Sequence, residues 1–532
     1  MKRLQGWGNP ATDYPVPEPA MGYLETVVGQ PLSLKNASIA SLIAKVPASQ
    51  LPRHPLISTD AEDRLRHARG QSLNDWVDML DGRVNTFPGG VAYPTSDEDV
   101  RDLIAYADQY QVNLIPYGGG SSVVGHLTPP GEGPLTLSID MTRMNQLLNL
   151  NEESHEATLG AGVSGPELEA LLQPHGYLLG HYPQSWEYST LGGWVVTRSV
   201  GQQSLHYGRI EPLFVSGHVE TPSGPLNLPR VPKSAAGPDL RHLVLGSEAR
   251  LGILTRATMR IRPLPEEEHF YSAFFPNFEV GAEAVREIAQ AELPLSMLRL
   301  SDPVETETTF QLSGEETLVN LAKKGLSLFG HGEERCMLIY GLTGNPAQSR
   351  LGDRQLAHYV RKHDGMLIKF YLGREWIKKR FLTPYLRNTL WDLGYALDTL
   401  ETSLPWDKLP EGQKAIVAAI QHGLEDENEK ALVFSHISHV YTNGGSVYVT
   451  YLYRRSQAPE ETLARWHRLK GAASQQIVAH GGTISHQHGV GLDHKAYLPI
   501  EKGPLGIQLL QDIAQKVDPR GIMNAGKLID RD

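Results

Sequence analysis

From about residue 83 onward, short apolar runs of strand length alternate with turns and with helical stretches. Residues 91–93 and 112–116 predict two strands, the second of which runs into three glycines. Between them Ser96 is placed to cap a helix, because its hydroxyl can accept a hydrogen bond from the first turn. Apolar residues then recur at a spacing that puts them on one helical face: Val100, Leu103, Ile104 and Ala107. The pattern predicts a strand–helix–strand unit.

The rest of the chain divides into further segments that differ in composition and in the pattern of apolar residues. Residues 1–82 are polar and rich in proline, which predicts an irregular lead-in with short helices such as 60–69. A strand over 257–261 ends in a proline-rich exit, so we place a boundary at 265. Residues 266–475 predict a second domain, in which 446–453 alternate as a strand does. Residues 476–532 hold a glycine loop with histidines and a helix over 505–517.

Composition narrows the class of protein. Hydrophobic residues make up 40% and charged residues 20% of the 532 residues, which is ordinary globular composition. The net charge of −11 and the lack of a lysine or arginine block argue against a nucleic-acid partner. Cys336 is the single cysteine, so it excludes an intrachain disulfide and a cysteine zinc site. We find no secretory signal and no run of about 18 apolar residues, and expect a cytoplasmic protein.

Three loops combine glycines with hydroxyl side chains. Residues 116–122 read PYGGGSS, in which successive amides could surround an anion, although a plain glycine turn is an equal alternative. Residues 183–194 read PQSWEYSTLGGW and predict a strand–turn–helix, which a helix cap with close glycine packing also explains. Residues 246–255 read GSEARLGILT and predict a loop that enters a strand, which an ordinary turn also explains. Each loop alone is weak evidence for a site.

Taken together, the loops and the ending NAGKL at 524–528 resemble FAD-dependent enzymes of the vanillyl-alcohol-oxidase superfamily. The resemblance implies an α+β fold: a PCMH-type FAD-binding domain of two mixed α/β subdomains at 83–265, and a cap domain with an antiparallel sheet flanked by helices. It implies non-covalent FAD, held by these residues: Pro116, Gly118, Gly119, Gly120, Ser121, Ser122, Gln184, Ser185, Ser189, Thr190, Gly193, Thr197, Arg198, Ser247, Glu248, Arg250, Gly252 and Ile253.

Other segments resemble one family of that superfamily, the alkyldihydroxyacetonephosphate synthases. They include Gly6-Trp7-Gly8 and residues 181–195, 206–211, 237–239, 298–302, 401–407 and 485–491. The resemblance implies exchange of the acyl chain of acyl-dihydroxyacetone phosphate for a long-chain alcohol, without net oxidation. It leaves room for peripheral contact with a membrane and for a homodimer.

The same resemblance implies roles for single residues. Tyr448 matches an acid–base tyrosine, and Arg299 and Arg387 match arginines that the active site needs. His486 and His488 match two of three histidines in a loop, and His181 matches a residue beside flavin and substrate. The chemistry agrees, because arginine offers a planar fork to phosphate and proton removal beside a carbonyl needs a tuned base. A metal between His486 and His488 is an alternative that lacks a third ligand.

The chain departs from the family pattern at several positions. Gln487 stands where the middle histidine is expected, and an amide cannot exchange a proton. Ala249 disfavours a positive φ and predicts another shape for the third loop, while Arg250 would meet the pyrophosphate or the solvent. Gln184 replaces an aspartate. His126 is the alternative to non-covalent FAD, as a covalent attachment point.

Two other functions stay open at this point. One is an FAD-linked dehydrogenase or oxidase of a 2-hydroxy acid or alcohol, which the flavin loops fit equally well. The other is a flavoprotein or lipid-binding protein without catalysis, against which the presence of Tyr448, His486 and His488 argues.

Overall fold

The lead-in wraps onto the rest of the molecule. The computed structural model describes residues 2–131, 133–369 and 372–530. Asp60 caps the helix predicted at 60–69 by accepting from the amides of Glu62 and Asp63. The lead-in elements are α1 Glu18–Val27, α2 Ile39–Ile43, β1 Ile57–Ser58, α3 Ala61–Arg66 and α4 Leu73–Leu80. Since β1 pairs with the first strand after the lead-in, the segment belongs partly to the following domain.

The predicted strand–helix–strand unit is confirmed. Its elements are β2 Gly90–Ala92, α5 Asp97–Tyr110, β3 Asn113–Tyr117 and β4 Thr136–Asp140, in a sheet of order β1-β2-β4-β3. The hydroxyl of Ser96 accepts from the amide of Asp99, 3.1 Å away, as a helix cap does. The four apolar residues of the predicted stripe are all buried. Strands β2, β4 and β3 run parallel, so their carboxyl ends share one edge, where the PYGGGSS loop begins.

A second, antiparallel sheet follows. Its five strands have the order β5-β6-β10-β8-β9, and a separate pair joins β7 to β11. The elements are β5 Leu147–Asn151, β6 Glu156–Gly160, α6 Gly165–Leu172, β7 Tyr177–Leu178, α7 Leu191–Thr197, α8 Ser204–Tyr207, α9 Ile210–Leu213, β8 Phe214–Glu220, β9 Leu226–Asn227, α10 Arg241–Val244, β10 Ile253–Arg260 and β11 Arg262–Pro263. The third loop therefore enters a strand, β10, as predicted.

The predicted cap contains a seven-stranded sheet of order β15-β12-β14-β13-β17-β18-β16, in which every neighbouring pair is antiparallel. Its elements are β12 Glu267–Phe275, α11 Phe278–Gln290, β13 Met297–Ser301, α12 Pro303–Leu312, α13 Glu316–Leu328, β14 Cys336–Gly344, α14 Pro346–Lys362, β15 Met366–Ile368, α15 Leu372–Lys379, α16 Thr383–Asp392, β16 Tyr395–Pro405, α17 Leu409–Gln421, β17 Ala431–Tyr441, β18 Gly444–Arg454 and α18 Pro459–Ala479. Helix α18 continues past the predicted boundary at 475.

The carboxyl-terminal segment returns to the first sheet. Helix α19, Leu498–Val517, bends at Gly503, where φ is 69°, so the predicted helix at 505–517 is the part after the bend. The chain then runs beside β3: the amide of Leu114 donates to Ile522 and the amide of Asn524 donates to Leu114. In the described residues no helix is both long and apolar enough to cross a bilayer.

Candidate active site

A cavity of about 610 Å³ lies between the loops of the first two sheets and the cap sheet. Its size is typical of ligand sites in proteins. All three glycine loops reach it, and so do the cap strands β13, β16, β17 and β18. Of the residues predicted to hold FAD, the following line it: Pro116, Gly118, Gly119, Gly120, Ser121, Ser122, Gln184, Ser185, Ser189, Thr190, Gly193, Thr197, Glu248 and Ile253.

The first two loops pack backbone against backbone. A Cβ atom on Gly119 would overlap the carbonyl oxygen of Tyr188, and one on Gly118 would overlap the hydroxyl of Thr190. In the described part of the chain, the amides of Gly119 and Gly120 donate to no backbone or side-chain acceptor. Half-buried Lys2 from the lead-in donates to the carbonyl of Gly119, and desolvation lowers the pKa of its amine to about 8. The loop offers free N–H groups to an anion, beside a lysine.

The second loop is fixed by hydrogen bonds to its own helix and to the cap. The Trp194 indole donates to the hydroxyl of Ser189 at 2.7 Å, and the Gln184 amide donates to the carbonyl of Arg380 in the cap. Arg198 lies at the end of α7 with φ 55° and donates to the carbonyl of Leu245. The predicted contact of Arg198 with FAD is therefore not supported by its position, because the side chain points back to the loop after α10.

The third loop keeps a left-handed conformation without glycine. Glu248 and Ala249 have φ values of 51° and 61°, so the expectation that Ala249 avoids positive φ is wrong. The Glu248 carboxylate explains the shape. It accepts from the amides of Val490 and Gly491, and one oxygen lies 2.9 Å from Nε2 of His126. This loop is thus tied to the histidine loop by a buried carboxylate.

Three more predicted FAD residues of this loop lie outside the cavity. Arg250 does not line the cavity, and its side chain is buried. It donates to the carbonyl of Met523, which joins the loop to the carboxyl-terminal segment. Gly252 packs against the carbonyl of Glu220 on β8, and Ser247 turns the chain after α10. These positions correct the prediction, since the loop presents Glu248 and Ala249 to the cavity instead.

One carboxylate from the ETSLPWD segment holds the histidine loop. Glu401 on β16 is 1% exposed and accepts from the amides of His486, Gln487 and His488, the last at 2.8 Å. It also accepts from the hydroxyl of Ser485 at 2.9 Å. Because three consecutive amides donate to this one carboxylate, Glu401 supplies the hydrogen-bond acceptor that these amides need and holds the loop in this form.

Glu401→Gln should loosen this loop without changing its volume. The amide keeps one acceptor oxygen, while its NH2 group would face amides that also donate, which costs about 2 kcal/mol. Hydrogen–deuterium exchange of residues 485–491 should then rise roughly 30-fold for that cost. The matched control is Glu425→Gln, which removes an exposed carboxylate bonded to His422 and should leave the loop unchanged. Unchanged exchange at 485–491 in Glu401→Gln would contradict the role.

The cap wall carries Tyr448 and two histidine rings. Tyr448 on β18 lines the cavity, and burial raises the pKa of its phenol to about 12. Its ring stacks on His436 at 5.0 Å and meets the edge of His488 at 5.6 Å. His488 lies 3.4 Å from Glu401, and burial lowers the pKa of its imidazole. Tyr448 and His488 are thus brought together as the sequence predicts, with His436 as an addition.

Both predicted arginines line the cavity, but only Arg299 is paired with a carboxylate. Arg299 on β13 donates to Glu305 at 2.6 Å and to Ser301 at 3.3 Å. Arg387 on α16 donates from Nη1 to the carbonyl of Gln71 at 2.6 Å and stacks on Trp76. Its buried Nε and Nη2 have no hydrogen-bond partner among the described residues. Of these two arginines, Arg387 is therefore the one with N–H groups left to bind a ligand.

His486 and His181 stand one layer behind the cavity. Nε2 of His486 lies 2.7 Å from both Arg209 and the hydroxyl of Tyr441. His181 lies 2.7 Å from the hydroxyl of Ser199 and beside the Trp194 ring, and burial lowers the pKa of its imidazole to about 3. Neither of these two predicted catalytic rings lines the cavity. No group of three or more metal-ligating side chains occurs within residues 2–131, 133–369 and 372–530.

Several residues of the site are not predicted from the sequence. Glu305, His436 and His439 line the cavity, and Trp7 closes it from the lead-in, where Asn388 binds its backbone on both sides. The GWG segment was noticed only as a resemblance, and its link to the cap spans 381 positions of the chain. His436 and His439 are three residues apart, which places them on opposite faces of a regular strand. Both line the cavity because the pairing of β17 with β18 is irregular between Ile437 and Val440, which the sequence does not reveal.

One part of the cavity lining, called the apolar end below, consists of side chains that pack into two hydrophobic clusters. It is bounded by side chains of the cap sheet and of α12, α15 and α16: Met297, Met337, Ile339, Leu312, Leu372, Trp376, Leu386, Leu397 and Phe434. Arg299, Arg387 and Tyr448 lie on strands and a helix of the same cap, and Gln487 and His488 of the histidine loop also line the cavity. The arrangement can therefore bind an anion, hold or move a proton, and enclose an apolar chain in one space.

Comparisons with known proteins agree with this geometry. A family model described as "FAD binding domain" matches residues 88–226, and one described as "FAD linked oxidases, C-terminal domain" matches residues 264–528. An alkyldihydroxyacetonephosphate synthase of Dictyostelium discoideum is 33% identical over 480 residues, 89% of this chain and 78% of that one. A mitochondrial D-lactate dehydrogenase [cytochrome] of Arabidopsis thaliana is 26% identical over 480 residues, with the same coverage.

A solved structure of alkyldihydroxyacetonephosphate synthase superposes with a TM-score of 0.85, at 28% identity and over 99% of both chains. The agreement confirms the predicted α+β fold, with its FAD-binding domain and its cap with an antiparallel sheet. It also confirms FAD as the cofactor and shows that the chain is an enzyme.

Proposed function

Because the chain belongs to the alkyldihydroxyacetonephosphate synthase family of FAD-dependent enzymes, we propose that it exchanges the acyl chain of acyl-dihydroxyacetone phosphate for a long-chain alcohol. The observation that carries the proposal is the composition of the cavity. FAD loops, three arginines (Arg299, Arg380 and Arg387), a half-buried tyrosine and an apolar end share one cavity. A 2-hydroxy acid would need the arginines but would leave the apolar end without an occupant.

The first two loops fit the cofactor. Gly119 and Gly120 offer amides to the pyrophosphate, and the closeness of Tyr188 to Gly119 excludes any side chain there. Ser189, Thr190 and Glu248 would meet other parts of FAD along the same wall. When bound, FAD supplies the reactive ring beside which the acyl group is exchanged. The non-covalent state stays a prediction, with His126 as the alternative attachment point.

Gly119→Ala should weaken the binding of FAD. The added Cβ would overlap the Tyr188 carbonyl, so one of the two loops must move. The amides of Gly119 and Gly120 would then no longer point at the pyrophosphate. The dissociation constant for FAD should rise at least about tenfold, the equivalent of about 1.4 kcal/mol, and titration of the apoprotein with FAD measures it beside the flavin absorbance of the purified variant. Gly22→Ala is the matched control, because a Cβ there meets no atom within 4 Å. Full FAD content in Gly119→Ala would count against the assignment.

Arg387 and Arg299 bind the phosphate in this proposal. Arg387 has two unused donors at a fixed fork, and its burial lowers the pKa only from a value far above neutrality, so the charge is kept. Arg299 is already paired with Glu305, which positions it but reduces its net attraction for a second anion. Arg387 is therefore the main phosphate ligand and Arg299 the supporting one.

Tyr448 holds a proton at its phenolic oxygen. With a pKa of about 12 the phenol is neutral at pH 7 and donates a hydrogen bond into the cavity. The neighbouring His488 ring is uncharged at that pH, because burial opposes its protonation. This wall therefore offers a donor and not a second cation, which suits a leaving carboxylate that must accept a hydrogen bond.

The proposal includes contact of helix α13 with a lipid surface. Leu326 is buried in a cluster with Met297, Met337 and Ile339, which line the apolar end of the cavity. On the outer side Leu328 is 85% exposed and Phe329 is 72% exposed. A helix that covers the apolar end and exposes large apolar side chains is suited to draw a lipid substrate from a membrane.

Replacing both Leu328 and Phe329 with serine should weaken binding to phosphatidylcholine vesicles by at least about tenfold. Each side chain loses about 1.5–3 kcal/mol of burial in lipid. The protein should retain FAD and should still act on substrate dispersed in detergent. Leu148→Ser, which removes a 52% exposed leucine on β5, is the control for surface apolarity alone. Sedimentation with vesicles measures the effect, and equal binding of the double variant and the wild type would overturn the contact.

The direct test of the proposed function is a product assay. FAD-loaded protein is incubated with acyl-dihydroxyacetone phosphate and hexadecanol labelled with ¹⁸O, and products are separated by mass. The proposal expects alkyl-dihydroxyacetone phosphate that carries the label, together with free fatty acid that does not. Release of fatty acid without any alkyl product would show hydrolysis and would contradict the proposal.

A second candidate is an FAD-linked dehydrogenase of a 2-hydroxy acid. Gln487 in the histidine loop favours it slightly, and so does the similarity to a D-lactate dehydrogenase. The two functions differ in electron balance. A dehydrogenase reduces an acceptor dye in proportion to substrate, whereas the proposed exchange consumes none.

A further inference from the structure

A histidine that the sequence analysis missed faces the cavity with its orientation fixed by a carboxylate. His436 on β17 lines the cavity and is 9% exposed. Its Nδ1 lies 3.0 and 3.1 Å from the two carboxylate oxygens of Glu305 on α12, which is itself buried. In the described residues, Nε2 of His436 has no hydrogen-bond partner.

Glu305 decides which ring nitrogen carries the hydrogen. Burial alone would raise the pKa of its carboxyl, but Arg299 and His436 outweigh burial and hold that pKa at about 2. The carboxylate is therefore ionised and can only accept, so we assign the ring hydrogen to Nδ1, which donates to Glu305 even though Nη2 of Arg299 lies 3.1 Å from the same nitrogen. In the neutral ring the lone pair is then on Nε2, the nitrogen left for the cavity.

The surroundings keep this ring neutral and in place. Burial, and then the charge of Arg299 at 3.1 Å from Nδ1, lower the pKa of the imidazole. Tyr448 stacks on the ring face with planes 9° apart, so the ring cannot rotate freely. His439, three residues on along β17, also lines the cavity but has no carboxylate to orient it. Gln487 also lines the cavity, but its amide cannot exchange a proton and so cannot act as a base.

We propose that His436, oriented by Glu305, is the base that removes a proton from the substrate carbon next to the carbonyl. The inference rests on the proposed function. The C–H bond breaks and its proton passes to Nε2, while the electron pair stays with the substrate and delocalises onto the carbonyl oxygen. The ring becomes an imidazolium that Glu305 stabilises, and it later returns the proton. His436 would be a catalytic residue, and Glu305 a positioning residue.

The test is hydrogen exchange at that carbon. FAD-loaded wild type is incubated with acyl-dihydroxyacetone phosphate in D₂O, without alcohol. Deuterium incorporation into the recovered substrate is then measured by mass spectrometry. The wild type should incorporate deuterium, and His436→Ala should do so about 10²- to 10⁴-fold more slowly. Added imidazole should restore part of the rate in His436→Ala, because the truncation leaves space beside the cavity. A merely structural ring would not be rescued.

The matched control is another histidine–glutamate pair. His363 lies 3.0 Å from Glu287 in the cap and does not line the cavity, so His363→Ala should exchange at the wild-type rate. A second readout needs no turnover. The ¹⁵N spectrum of histidine-labelled protein should contain an Nδ1–H signal that His436→Ala removes and that Glu305→Gln moves.

The outcomes distinguish failure of the inference from failure of the proposed function. If the wild type exchanges and His436→Ala exchanges at more than about half its rate, His436 is not the base, while the proposed function stands. If the wild type exchanges no hydrogen and makes no alkyl product, the proposed function fails, and this inference fails with it. An Nε2–H signal for His436 would overturn the assignment of the dyad by itself.

Discussion

Replacing Arg387 with alanine should lower kcat/KM for acyl-dihydroxyacetone phosphate by roughly 10²- to 10⁴-fold. The reason is that two charge-assisted hydrogen bonds to phosphate are lost at about 1.5–3 kcal/mol each. Nε and Nη2 of Arg387 are buried, and no described protein group accepts from them, so in this account the phosphate is their partner. FAD content should not change, since Arg387 lies on α16 and touches Gln71 and Trp76 rather than the glycine loops.

The measurement is steady-state kinetics beside the flavin absorbance of the same preparation. Arg387→Lys should fall between the wild type and alanine, because it keeps the charge but loses the planar fork. Arg468→Ala, an exposed arginine on α18 that pairs with Asp426, is the control and should behave as the wild type does. An Arg387→Ala variant with wild-type kcat/KM and normal FAD would remove the phosphate assignment.

Tyr448→Phe should lower kcat by about 10²- to 10⁴-fold with little change in substrate affinity. The variant keeps the ring that stacks on His436 and loses only the hydroxyl, which is the group proposed to hold the proton. Tyr453→Phe on the same strand is a close control. That tyrosine is buried, its hydroxyl donates to the carbonyl of Thr462, and it does not line the cavity.

Comparing the two variants separates chemistry from stability. Both lose one buried hydroxyl, so both should lower the midpoint of thermal unfolding slightly, whereas only Tyr448→Phe should lower kcat. If both variants lose activity in equal measure, the effect at Tyr448 is structural. If neither does, the acid–base role must pass to another group on the cap wall.

Local signals made part of the fold readable from the sequence. The α5 helix has its cap at Ser96 and its apolar stripe within four turns, and the glycines after β3 follow at once in the chain. Strand β18 alternates clearly and contains Tyr448. These features depend on neighbours in sequence, so pattern and propensity were sufficient to predict them.

The supporting residues depend on contacts across the chain. Glu401 meets the histidine loop 85 to 87 positions later, and Glu305 meets His436 131 positions later. Nothing beside Glu305 or His436 in sequence marks them as a pair. For the same reason Arg250 was misplaced, because its partner Met523 lies 273 positions away.

The most direct test of the central claim is an anaerobic flavin spectrum of the FAD-loaded protein. Acyl-dihydroxyacetone phosphate is added first, and a long-chain alcohol is added afterwards. The account predicts that absorbance near the oxidised-flavin band at about 450 nm falls with the first addition and returns with the second, without any electron acceptor. Loss of absorbance only with a 2-hydroxy acid, restored only by an oxidant, would contradict the account and identify a dehydrogenase.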